Sequence, residues 1–238
     1  MFFKSKLNPT VESPVESGFE RYYDANWLEL DNYFRIHRER FIQTFGFVRR
    51  HCSASAGKVL DVGGVGPISA YFKKYFGWSV ESTGTDLRKP LAIDDDAFDL
   101  ILCTETVEHI KDVESNEIRD LEAFNYSGVV SMLRELRRSL KQAGRLVITT
   151  PNANSYITLH KWLSGESLLM DPQHVREFSV ADLKRVAAQC DLVEIAVSTI
   201  DSWSDFGGHV GELKKALHRF PDVASIERGD NIVAAFSR

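Results

Sequence analysis

Trp27, Leu30, Phe34, His37, Phe41 and Phe45 recur at steps of three and four, and this period predicts one or two amphipathic helices. Such helices would form an extra layer on a sheet, an aromatic wall over a binding site, or both. Ahead of them, residues 1–18 are rich in Pro, Ser, Glu and Gly and read as a flexible leader. Residues 19–57 are then a helical extension, and 58–238 the main domain. In the main domain the pattern alternates. KVLDVGG (58–64) is a short apolar run closed by glycines, and Pro67 suits the first turn of a helix, ISAYFKKYF, that stops at Gly77. WSVESTGT (78–85) is β-prone and ends at Asp86, and FDLILCT (98–104) reads as a buried strand. Val129, Met132, Leu133, Leu136 and Leu140 share one helical face, with Gly144 as the expected stop. RLVITT (145–150) is a strand broken at Pro151, and Ser179 with Asp182 form a capping-box pattern. A β-like stretch (192–199), a helix near 209–220 and a strand near 231–236 follow. Strand–helix alternation at this spacing calls for an α/β fold: a doubly wound, mostly parallel sheet covered on both faces.

Composition narrows this little. A hydrophobic share of 43% and a charged share of 26% are ordinary for a globular domain. The formal charge of -5 gives no long-range attraction for a polyanion, so a small-molecule substrate ranks above nucleic acid. Three widely spaced cysteines, Cys52, Cys103 and Cys190, suggest neither a disulfide framework nor a thiolate metal site. With no signal-like or membrane-length apolar run, a cytoplasmic location is the expectation. Oligomeric state is left open.

The chemistry concentrates behind two strands. VLDVGGVGP turns on Gly63, Gly64 and Gly66 between a strand and a helix, where ligands cross the C-terminal edge of a parallel sheet. Asp61 precedes the turn, and Asp86, at the end of the next strand, is placed to grip both hydroxyls of a ribose. The pair points to an adenosine-type cofactor. No clean G-x-G-x-x-G is present, because the last glycine position falls on Ser69, and no GK[ST] follows. After the buried strand come Glu105, Glu108 and His109. On a helix these would share a face and suit Mg, Mn or Zn, with His174 as a fourth ligand. Cys103 reads as core, and Asn152 and Asn154 as candidate hydrogen-bonding partners of a substrate.

VLDVGGVG, GTD, AFDLILCTETVEHI, LRELRRSLKQAGRLVITTPN and HVREFSVADLKRVA, in this order over about Lys58 to Val193, resemble the class I S-adenosylmethionine-dependent methyltransferases, in particular the ubiquinone-biosynthesis-like O-methyltransferase group. The resemblance implies a Rossmann-like seven-stranded sheet with the last strand antiparallel. It implies S-adenosyl-L-methionine as cofactor, its methionine end on Asp61, Gly63 and Gly66 and its ribose on Asp86, with Gly64, Leu87 and Thr104 lining the same site. ExxEH resembles a metal-binding string shared with small-RNA 2′-O-methyltransferases, in which a histidine after TPN completes the site, as His174 follows TTPN (149–152) here. Catalysis would fall to His109, His174 and Glu105, with or without a divalent metal.

Two departures stand out. Val65 occupies a usual glycine position, and Asp86 to Phe98 is too short for the customary helix and third strand, leaving Asp94, Asp95 or Asp96 to reach adenine. The acidic stretch between His109 and Ser127 is longer than its counterpart and reads as a flap or a surface elaboration, while Arg176 and Glu177 would shape the acceptor pocket. The expected activity is methyl transfer to a hydroxyl of a sugar, phenol or natural-product intermediate. The alternatives are a metal-dependent RNA 2′-O-methyltransferase, an inactive methyltransferase-fold binding protein and a nicotinamide-dependent oxidoreductase.

Overall fold

The computed structural model describes residues 14–52, 57–112, 126–202, 207–224 and 226–238. Most of the expected leader and most of the acidic stretch after His109 lie outside the described residues. The elements, in order, are α1 (Pro14–Asn26), α2 (Asn32–Ile36), α3 (Arg38–His51), β1 (Lys58–Val62), α4 (Pro67–Phe76), β2 (Ser79–Thr83), β3 (Phe98–Thr104), a 3-10 turn (Val107–His109), α5 (Ser127–Ser139), β4 (Leu140–Pro151), α6 (Tyr156–Leu163), α7 (Val180–Gln189), β5 (Val193–Ile200), α8 (Gly207–Leu217), α9 (Pro221–Ala224) and β6 (Asn231–Ser237). α1 starts at Pro14, inside the stretch whose composition suggests a leader.

The sheet order is β2-β1-β3-β4-β6-β5. β1 to β4 pair in parallel, and β6 runs antiparallel to both β4 and β5. Six strands are described where the resemblance implies seven. Between Thr83 and Phe98 the chain forms only turns and bends, and a further strand with its crossover would need a dozen or more residues of its own. β2 is therefore left as an edge strand, with Ser79, Glu81 and Ser82 exposed.

Alternation along the central strands sorts the core into two halves. Leu60, Ile101, Cys103, Leu146, Ile148, Ile232 and Ala234 pack under α5 and α7. Val59, Leu100, Leu102, Val147, Val233 and Ala235 pack under α1, α3 and α4. Phe19 of α1 stacks on Phe45 of α3 at 4.1 Å and meets Tyr71 of α4 edge-on at 5.2 Å. The N-terminal helices are thus one full layer of the domain. Cys103 is fully buried, as its strand predicts.

Local signals explain most boundaries. Pro67 opens α4 and Gly77, at φ 67°, closes it. α7 carries the Ser179–Asp182 capping box. Gly144 does not stop α5, which ends at Ser139 with Leu140 as its cap. Gly144 lies in β4, where a Cβ would come within 2.7 Å of Leu140 Cδ1 and 2.9 Å of the Phe98 carbonyl oxygen. It is there for close packing.

Candidate functional site

Chain order reverses between β1 and β3: β2 lies to one side and β3, β4 and the rest to the other. A crevice at the C-terminal ends of the strands is the usual ligand site of such a sheet, and both clusters of candidate residues sit there. Gly63 (φ 92°) and Gly64 (φ 145°) form the turn after β1 with angles that side chains with a Cβ rarely adopt. A Cβ on Gly64 would meet nothing within 4 Å, so the turn backbone faces open space. Val65 is 50% exposed, and its bulk, in place of glycine, points away from the core.

Asp61 is buried at the end of β1. Its Oδ2 accepts a hydrogen bond from the Gly66 amide at 2.8 Å and another from the Ser69 hydroxyl. Burial pushes its carboxyl up to about 6, against the pull of those two donors. Asp86 is held by Arg88 Nε and Nη2, both at 2.9 Å, and the guanidinium lowers its carboxyl to about 2. The two side chains are 32% and 36% exposed, and solvent-exposed ion pairs of this kind are weak. Ribose hydroxyls can therefore compete for Asp86. Leu87 is buried in the α5 core, which leaves only its backbone to a ligand. Thr104, at the end of β3, is half-buried, and its carbonyl accepts from the Thr106 hydroxyl at 3.0 Å. The open glycine turn, the acid at the end of β1 and the acid after β2 fit a phosphate-free adenosine cofactor such as S-adenosylmethionine. Asp95 and Asp96 do not reach it: they pair with Arg138 and Arg238 ahead of β3, at the opposite edge of the sheet.

The second cluster surrounds a cavity of about 420 Å³ lined by residues of four regions, among them Tyr33, Arg40, Glu105, Glu108, His109 and His174. The segment after β3 is not the helix that would put Glu105, Glu108 and His109 on one face. Glu105 sits in the left-handed region at φ 49°, a strained conformation for a residue with a side chain, and its amide is bonded to the Thr149 carbonyl at 2.9 Å. Its carboxylate has a full set of partners: Arg40 Nη1 at 3.0 Å, the Thr149 hydroxyl at 2.8 Å, and Asn231 Nδ2 at 3.0 and 3.2 Å. Glu105 is therefore tied to α3, β4 and β6, and stands apart from the remaining three residues. Arg40, 4% exposed, also donates to the Tyr33 hydroxyl at 2.5 Å. Burial and the Arg40 charge together lower the nearby His37 to about 4.

Glu108, His109 and His174 do come together, with one ligand atom of each within 4.8 Å of the others. The two imidazole rings are 4.8 Å apart and nearly perpendicular. The Glu108 carbonyl accepts from the Val175 amide at 2.8 Å, which fixes the His174 loop against the 3-10 turn. His109 Nδ1 lies 3.2 Å from the Gln173 carbonyl oxygen and His174 Nδ1 lies 2.8 Å from Glu177 Oε1. A carbonyl oxygen only accepts, so His109 Nδ1 carries the hydrogen; the Glu177 carboxylate asks the same of His174. In the neutral rings both Nε2 atoms are then free bases. Glu108 is fully buried. Its Oε2 accepts from the Thr150 hydroxyl at 2.9 Å, but Oε1 has no partner. Burial, reinforced by the Glu105 charge, pushes its carboxyl well above the usual range. A lone buried carboxylate oxygen beside two oriented imidazoles fits a divalent cation, which would supply the missing partner.

Asn152 is structural: its Nδ2 donates to the Gly229 carbonyl at 2.8 Å and its Oδ1 accepts from the Asn154 amide at 3.0 Å. Arg176 pairs with Asp112 at 2.7 Å. The sequence reading missed Arg40, Thr149 and Asn231. A charged residue directly ahead of Phe41, between it and the aromatics of α2, was the signal for Arg40, and nothing local marks Asn231.

A methyltransferase-domain family model matches residues 34–197. YcgJ of Bacillus subtilis strain 168, described as an uncharacterized methyltransferase, is 27% identical over 146 residues, 59% of this chain. The chain spans about half the length of that curated relative, 51%. Among solved structures, an S-adenosylmethionine-dependent methyltransferase from Archaeoglobus fulgidus superposes with a TM-score of 0.55 at 15% identity, covering 87% of this chain and 100% of the other. A protein from Pyrococcus horikoshii OT3 gives a TM-score of 0.51 at 16% identity over 95% and 99% of the two chains. At such identities these structures speak for the fold alone. The family model spans well over half of the chain, and the chain belongs to the class I S-adenosylmethionine-dependent methyltransferases.

Proposed function

We propose that the protein transfers a methyl group from S-adenosylmethionine to a hydroxyl of a small or medium-sized acceptor, assisted by a divalent cation on Glu108, His109 and His174. The observation that carries the reading is that Glu108, whose buried Oε1 has no partner, clusters within 4.8 Å with two histidines whose Nδ1 atoms are already engaged. Two imidazoles and one carboxylate favour Zn or Mn over Mg, which prefers all-oxygen sets.

When bound, the cofactor would supply an electrophilic methyl on a sulfonium, and a cation held by Glu108, His109 and His174 would lower the pKa of the acceptor hydroxyl. Asp61, Gly63, Gly64 and Gly66 would hold the methionine end, Asp86 the ribose, and the Leu87 and Thr104 backbone the wall between. The cavity would hold the acceptor oxygen beside the ends of β3 and β4. Glu105 is a positioning residue: its bonds to Arg40, Thr149 and Asn231 hold the strained turn from which Glu108 and His109 project. Without a cation, the Nε2 atoms of His109 and His174 are the groups able to take the acceptor proton. The formal charge of -5 disfavours a polyanionic RNA and supports a neutral alcohol or phenol.

Metal-stripped protein is incubated with S-adenosylmethionine and a panel of phenols, catechols and sugars, alone and with Zn, Mn or Mg, and products are read by mass spectrometry. Methyl ethers that form with Zn or Mn and vanish with chelator support the reading. Ethers formed equally in chelator reduce it to histidine base catalysis, and methylation only at nitrogen or carbon overturns it.

A further inference from the structure

A second cavity, of about 450 Å³, opens on the other side of Glu177. Its apolar lining comes from α6 and the loop after it: Leu159, Trp162, Leu168 and Leu169. Trp162 and Leu168 are 61% and 47% exposed, so a substantial apolar lip stands open to solvent at the mouth. Its size suits a small organic molecule.

Two polar side chains in that lining are incomplete. The Glu177 side chain is 5% exposed. Its Oε1 is fully used, by the His174 ring at 2.8 Å and the Met170 amide at 2.7 Å, whereas Oε2 is buried without a partner. Arg228 donates through Nη1 to the Asn154 carbonyl at 2.8 Å, and its Nε is likewise buried without a partner. Buried polar atoms are normally satisfied, and each exception asks for a missing partner. Glu177 and Arg228, a carboxylate with an unpaired acceptor and a guanidinium with an unpaired donor, both line this one apolar space.

We propose that this cavity binds the apolar body of a neutral alcohol or phenol, whose hydroxyl donates to Glu177 Oε2 and whose oxygen is open to Arg228. A hydroxyl offers a donor and acceptor lone pairs on one atom. An ammonium would leave Arg228 unanswered, and a carboxylate would face Glu177. A bare sugar has no surface for the four hydrophobic side chains. The ligand is either the remote end of the methyl acceptor or a separate molecule; the hydroxyl chemistry is the same. Because the second oxygen of its carboxylate orients His174, the site also links ligand occupancy to the first cavity.

The test is calorimetric titration of the full chain, without cofactor, with 4-butylphenol and with its methyl ether. The expected result is one phenol site and an ether about tenfold weaker, the effect of leaving a buried acceptor unpaired. Leu159→Trp, which fills the cavity, should abolish binding. Trp162→Ala, at the exposed lip and harmless to folding, should weaken it several-fold. Equal affinity for phenol and ether, or binding untouched by both variants, overturns the proposal. Adding S-adenosylmethionine then separates the sources. A methylated phenol assigns the cavity to the acceptor, and an unmodified bound phenol assigns it to a second ligand. The titration contains no cofactor, so it stands or falls independently of the methyl-transfer reading.

Discussion

The two ends of the crevice are built on different principles. At the glycine turn the candidate residues are contiguous: Asp61, Gly63, Gly64 and Gly66 lie within six residues, and the backbone at Gly64 faces open space. At the histidine cavity the parts come from far along the chain. Arg40 reaches Glu105 across 65 positions and Asn231 reaches it across 126. The first end is open at its turn, where Gly63 and Gly64 are exposed and Asp86 sits in a solvent-screened pair, with Asp61 buried beneath. The second holds buried charge in a closed network. A backbone cradle tolerates loss of a side chain, whereas an interlocked buried network does not, and substitutions at the two ends should differ accordingly.

The largest effect is expected at the histidines. His174→Ala should lower methyl transfer about 10³-fold, a typical loss for a proton-handling or ligating group, with affinity for S-adenosylhomocysteine within about twofold of wild type. A parallel fall in cofactor affinity would erase the distinction between the two ends. Next comes Arg40→Leu, which strands the Glu105 charge. Removing one partner of a buried pair costs about 3–5 kcal/mol, read as a shift in the urea midpoint, and Arg40→Lys should recover part of it.

Asp61 gives a smaller, pH-dependent effect. Its folded pKa of about 6 lies above the ordinary 3.8, so the folded state holds this proton more tightly than the unfolded chain does. Stability from this group is complete below the unfolded value and is lost as pH rises through about 6. Between about pH 4 and pH 7 wild type should lose about 2–3 kcal/mol relative to Asp61→Asn, measured by urea unfolding at each pH. A wild-type profile parallel to the variant's would show that burial does not shift Asp61. Smallest is Asp86→Ala: affinity for S-adenosylhomocysteine should fall about tenfold, the loss of a hydrogen-bonding group from a site with other contacts, with kcat unchanged at saturating cofactor.

The same contrast explains what was legible in the sequence. Periodicity located β1, α4, β3, α7 and β6 to within a residue or two because each is bounded by a local signal, such as Pro67, Gly77 or the Ser179 cap. The glycine turn after β1 was legible for the same reason. Glu105 was not. Its i, i+3 and i+4 spacing to Glu108 and His109 suggested a shared helical face, but the bond from its amide to Thr149 holds it at positive φ. That bond is a sheet contact, invisible to local spacing. Gly144 misled likewise, since its need is the closeness of Leu140 and Phe98. The N-terminal helices were legible as amphipathic, but only the fold shows that one layer both covers the sheet and supplies Tyr33, His37 and Arg40 to the cavity.

The most direct test is calorimetry on metal-stripped protein, titrated first with S-adenosylhomocysteine and then with Zn or Mn, for wild type and for a variant carrying His109→Ala and His174→Ala. The account predicts one cofactor site of similar affinity in both proteins and one cation site in wild type alone. Failure of wild type to bind S-adenosylhomocysteine, or stoichiometric cation binding by the double variant, would contradict it.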